Sequence, residues 1–253
     1  MPVNQPSPTG AVSSEDSDLP FGEAIQSDAH DVLMAAVSNQ ALNEDLALNL
    51  LKRADLRGDV LERLSKNAAV MKSRRVKLAL VEHPKTPRQV SLPMVRHLFT
   101  FDLVQLALAP VAPADVKTAA DMTLCNRMKA IPSGERLSLA HRASGRVASA
   151  LLMDAETRVV HAALDNSRLT EAYVVKAVMC SEATANLIHA ICQHSKWSVR
   201  REVRVALLRN QHAPMARAVE FARSLPPALA REILHGSHLP ANIKQYLLKM
   251  LNS

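Results

Sequence analysis

The chain has 253 residues, a net charge of +7, a pI near 9.6 and 48% hydrophobic residues, enough apolar material to bury a sizeable core and to exclude disorder throughout. Aromatics make up only 3% and glycines number 6, which argues against a β-sandwich, a dinucleotide-binding Rossmann domain or a base-stacking platform. Ala, Leu, Val, Met and Arg dominate, the composition of helices packed on helices.

In chain order, residues 1–22 read as a disordered acidic leader rich in Pro and Ser, broken by Pro2, Pro6, Pro8, Gly10 and Pro20. No Lys or Arg precedes Lys52, whereas eight acidic residues do; residues 52–253 carry the 31 basic groups against 16 acidic ones, a net of +15. An acidic head on a basic body can attract nucleic acid, acidic protein or an anionic surface, and the leader is expected to fold back over the basic face and compete for it. The plainer reading is a solvated, arginine-rich surface. Three scattered cysteines, Cys125, Cys180 and Cys192, form no disulfide framework. With no signal peptide and no apolar run of about 18 residues, the expected location is the cytoplasm and no membrane span is expected.

Residues 23–253 read as one α-helical repeat domain, in which short apolar-periodic segments alternate with Pro, Asn, Asp, Ser or Gly. Pro87, Pro113 and Pro240 are expected at first helical positions, with Thr86 capping the first of these helices. Ser133, Ser181 and Ser198 are further candidate caps, and Pro93 is expected to kink or split a helix over 89–99. Internal repetition decides the architecture. Val76–Pro87 (VKLALVEHPKTP) and Val203–Pro214 (VRVALLRNQHAP) share four of twelve positions and three conservative ones. A middle copy, Val159–Thr170, keeps the valine, Ala162 and Leu164, and fainter copies begin at Leu46, Val104 and Leu229. Offsets of 83 and 44 between the three main copies suggest a period of about 42 residues, as in HEAT-type helix pairs, with irregular pairing over 100–155. Leucine-rich runs such as Tyr246–Leu251 are expected to close the C-terminal end.

The motif of Val203–Pro214, with Arg-Asn-x-x-x-Pro at its end, resembles the leucine-rich-repeat-variant and HEAT-like α-solenoids of bacteria, and Val76–Pro87 carries it with His83 in the asparagine's place. The resemblance covers 45–253 and implies an all-α, right-handed solenoid of some fourteen short helices with one concave and one convex face. It implies no function. One relative of the variant class carries a cysteine-ligated iron–sulfur cluster before its repeats; no cysteine precedes Cys125, so that feature does not carry over.

No Gly-rich phosphate loop, nucleophile elbow or HExxH is present, so no catalytic residue, cofactor or metal is expected. The best local metal cluster, His189, Cys192 and His194 with Cys180 upstream, lies among Leu187, Ile188 and Ile191 and reads as core and turn residues. His83, His212, His235 and His238 read as caps or solvated side chains. The basic residues repeat in register, since an offset of 127 sets Arg201 on Arg74 and Arg204 on Lys77, with Arg200 beside them. Stacked repeats would line up Arg74, Lys77, Arg200, Arg201 and Arg204 as a stripe for an anionic partner. Alternatively they bridge neighbouring repeats through Glu82, Asp165 and Glu202. Trp197 is either a staple onto the following helix or an exposed interaction anchor. The expected function is a non-enzymatic protein-interaction scaffold with a protein partner. The alternative is a nucleic-acid-binding solenoid, and behind it stands a HEAT-like DNA glycosylase.

Overall fold

The computed structural model describes residues 21–252. Most of the acidic leader expected over 1–22 therefore lies outside the described residues. Those described contain 17 α-helices and no strand, and no helix among them is long and apolar enough to cross a membrane. The helices divide into two compact units.

The first unit, which runs to His97 and takes in Val111–Pro113, holds α1 (Phe21–Ala24), α2 (His30–Ser38), α3 (Glu44–Leu51), α4 (Gly58–Ser65), α5 (Arg74–Glu82) and α6 (Arg88–Val95). Here α2 packs on α4, and α3 on α5. The second unit holds α7 (Thr100–Leu108), α8 (Ala114–Arg127), α9 (Ser133–Arg142), α10 (Gly145–Leu151), α11 (Thr157–Asp165), α12 (Glu171–Val178), α13 (Ala185–Gln193), α14 (Arg201–Arg209), α15 (Met215–Arg223), α16 (Pro227–His235) and α17 (Ala241–Met250). In it each of α8, α10, α12 and α14 packs on the next even-numbered helix, while α9, α11 and α13 pack in a second row, as do α15 and α17. Single helices this short are not stable alone; each forms because its apolar stripe meets helices one and two places along the chain.

The three sequence copies land in one register. Val76, Val159 and Val203 are each the third residue of their helix, on α5, α11 and α14, and each is fully buried. The period differs from the expected one. The starts of α11, α12 and α13, at Thr157, Glu171 and Ala185, are 14 residues apart, so a pair takes 28 and the 44-residue offset spans three helices. The match between copies crosses from one row of helices to the other, and that is why a pair period fitted it poorly.

Prolines sit one place earlier than expected. Pro87 and Pro240 are N-caps, with ψ of 139° and 140° outside the helical region. The Thr86 hydroxyl instead donates to the Leu80 carbonyl at 2.6 Å. Ser133 is the first residue of α9 rather than its cap, and Thr184, not Ser181, caps α13 by accepting from Leu187 N–H. Pro93 lies in the last turn of α6, which ends at Val95 without splitting.

A ladder of buried and half-buried polar side chains joins helices two places apart in the chain. The last carbonyls of a helix lack an intrahelical partner, and here residues about two helices further on supply it. In the first unit Asn67 Nδ2 donates to the Val37 and Asn39 carbonyls at 2.9 Å each, and His83 Nε2 bonds the Arg53 carbonyl at 3.0 Å. In the second, Asn166 Nδ2 donates to Ala140 and Ala143, Asn210 Nδ2 to Val178, and Trp197 Nε1 to Leu164 at 2.8 Å. Each Asn Oδ1, and Nδ1 of His83, also accepts the backbone N–H two residues on. His83, Asn166 and Asn210 hold the same place in the three copies, directly after the helix.

Candidate functional site

The nominated basic residues fall into two groups, in different units. Arg74 and Lys77 lie on α5, Arg74 exposed and Lys77 half-buried. Arg200 and Arg201 are exposed at the start of α14; Arg200 lies 4.0 Å from Glu171, while Arg201 has no partner among the described residues. Arg204 differs from both. Its Nε donates to the Ser198 carbonyl at 2.7 Å and its guanidinium lies over the Phe221 ring, 5.6 Å from the centroid. Half-buried, it acts as internal glue between the start of its helix and α15. Trp197 is likewise no exposed anchor: it is 2% exposed, bonded to Leu164, with Lys196 Nζ 4.2 Å from its ring centre.

The histidine–cysteine cluster does not converge. His194 Nε2 meets Asp165 at 3.1 Å and its Nδ1 accepts from Lys196 N–H, His189 is exposed, and burial pushes the Cys192 thiol up to about 11. No group of three His, Cys, Asp or Glu among the described residues is placed to hold a metal ion.

A concavity of the second unit lies where α8, α10 and α12 run side by side. Each contributes one face at helical spacing: Met122, Cys125 and Asn126 from α8; Arg146, Ser149, Ala150 and Met153 from α10 and its end; Tyr173, Lys176, Ala177 and Cys180 from α12 and its end. The opposite faces, with Leu124, Val147, Leu151, Val174 and Val178, are buried and fix the orientation. The resulting groove has a volume of about 400 Å³. Small Ser149, Ala150 and Ala177 leave room between the longer Met122, Met153 and Tyr173. It continues through Cys125, Ala150 and Met153 into a cavity of about 450 Å³ that Lys129 and Glu182 also line. At Cys180 it meets another of about 330 Å³, bordered by Arg209 and His238.

The groove's charge is mostly positive. Arg146 and Lys176 are exposed, and neither makes a hydrogen bond or ion pair with a described residue. Asp121 lies half-buried nearby; burial raises its carboxyl above the ordinary range, against the lowering effects of the Ser144 hydroxyl, which donates to it at 2.7 Å, and of Arg146. Burial also raises the Cys125 thiol, with Asp121 adding to the effect. Asp154 is neutralised by Arg136 at 2.7 Å.

No family model, curated protein or solved structure matches the chain. The groove is thus read from its own residues. Sequence reasoning missed it, although a signal exists. Arg146, Ser149, Ala150 and Met153 of α10 and its end lie 27 residues before Tyr173, Lys176, Ala177 and Cys180 of α12 and its end, and the two sets share the alanine. A cavity of similar size in the first unit, about 410 Å³ between α3 and α5, is lined by Asp45, Asn49, Lys52 and Arg75. Its lining mixes one carboxylate with two cations, and Arg75 is already paired with Glu44 at 3.2 Å.

Proposed function

We propose that this chain is a non-enzymatic protein-interaction module, a HEAT-like right-handed solenoid of cytoplasmic type, whose groove along α8, α10 and α12 holds a partner segment. One observation carries the reading: equivalent faces of successive helices present small, methionine and aromatic side chains to solvent as one continuous depression, while the repeated polar residues are occupied in the ladder. Helical repeats stack to make extended surfaces of this kind, and flexible methionines suit them to binding. Panning a random peptide library on the full-length protein tests it. Selected peptides are expected to shield Cys180 from alkylation and to lose binding to Ala150→Trp, which fills the groove. Peptides that bind Ala150→Trp unchanged would refute the reading.

A second reading, phosphate binding, draws support from the exposure of Arg200 and Arg201 at the start of α14. It predicts steep salt dependence of duplex binding, lost on charge reversal at these two residues.

A further inference from the structure

The groove's own chemistry narrows what it can hold. Its floor is made of helices whose backbone groups are bonded internally, so it offers no edge to which an extended peptide could add main-chain hydrogen bonds. A segment laid there must satisfy its own backbone, which a helix does. Ser149, Ala150 and Ala177 leave the space that close helix–helix approach needs, at interaxial distances of about 8–10 Å. Crossing from α8 to α12 covers about 20 Å at that spacing, the length of about four helical turns. Met122, Met153 and Tyr173 supply adaptable apolar contact on both sides.

Charge then sets the sign of the occupant. Arg146 and Lys176 stand in the groove without an ion pair, Lys129 and Arg209 extend the positive charge into the adjoining cavities, and the opposing carboxylates are few. Asp154 is bound to Arg136, Asp121 is half-buried, and Glu182 is the exposed one. Cations of one sign gathered along a concave surface focus the field and attract carboxylates more strongly than the same cations scattered over a convex one.

We propose that this groove takes an acidic amphipathic helix of another protein, with carboxylates on Arg146 and Lys176 and apolar side chains between Met122, Met153 and Tyr173. The inference rests on the reading of the groove as the working surface and adds the chemistry of the partner.

The test uses the full chain and a fluorescein-labelled helix of about four turns, with leucines on one face and glutamates beside them. Counterparts carry glutamine or lysine for glutamate, and a labelled DNA duplex is the fourth probe. Affinity is read by anisotropy, and occupancy by alkylation of Cys180, with buried Cys192 as the internal control. The acidic helix is expected to bind at least about tenfold tighter than the lysine form and to shield Cys180. Arg146→Glu with Lys176→Glu should reverse that order while leaving the circular dichroism of the protein unchanged. Equal binding of all three helices with Cys180 shielded would overturn the acidic partner and keep the groove. No shielding by any helix would overturn both, and shielding by the duplex alone would assign the groove to phosphates instead.

Discussion

His83 shows how one side chain can do another's work. Its Nδ1 accepts the Lys85 N–H, which places the ring proton on Nε2, aimed at the Arg53 carbonyl. Asn210 does both jobs with its carboxamide, accepting from His212 N–H and donating to Val178. His83→Ala removes the partner of a part-buried carbonyl and is expected to cost about 1–3 kcal/mol; His83→Asn should recover most of it. Urea unfolding of the two variants checks this, and equal losses would contradict the shared role. The substitution of His for Asn between copies is visible in the sequence, but its purpose is not, because the acceptor lies 30 residues earlier. Trp197 and Arg204 were ambiguous for the same reason: their partners, Leu164 and the Phe221 ring, are set by packing.

Gly145 and Arg53 govern how neighbouring elements meet. A Cβ on Gly145, the first residue of α10, would fall inside van der Waals distance of the Arg168 carbonyl oxygen, which is backbone and cannot swing away. Gly145→Ala should therefore force the loop after α11 off the start of α10 and cost about 1–3 kcal/mol, read as a lowered melting temperature. A change within error would mean that the loop yields freely. Arg53 clamps the segment after α1: its Nη1 donates to the Ile25 and Ser27 carbonyls, and its other nitrogens to Asp28 and Asp55. The hydrogen bond from Arg53 holds the Asp55 carboxyl well below its ordinary value, at about 2. A depressed carboxylate stabilises above its unfolded pKa and stops doing so as pH falls through the folded one. Proteolytic protection of residues 25–28 should accordingly persist from neutral pH to about 4 and fade towards about 2, whereas Arg53→Met should lose it at all pH values. Protection that is unchanged in Arg53→Met would show that the clamp is idle. At this scale the valine register and helix class are legible in the sequence. The helix-by-helix period is not, because the matching copies fall on odd- and even-numbered helices alike, on α5, α11 and α14.

Across the whole molecule, two kinds of polar residue have separated. Asn67, His83, Asn166 and Asn210 turn inward and bind the end of one helix to the end of the helix two places before it. Arg146 and Lys176 turn outward into the groove of the second unit. The sequence shows a basic body but cannot sort these roles, since the arginines that repeat best, Arg201 and Arg204, differ in fate over a single helical turn. Two of the groove's three helices, α8 and α10, lie in the stretch where repeat matching is weakest, so their residues drew no notice. The direct test of the groove as working surface is the affinity of the acidic helix for two variants, Ala150→Trp and Asn166→Ala, each with its melting temperature. Ala150→Trp should lose binding and keep its melting temperature; Asn166→Ala should melt lower and, while folded, bind as before. Binding retained by Ala150→Trp, or lost by folded Asn166→Ala, would contradict this division of labour.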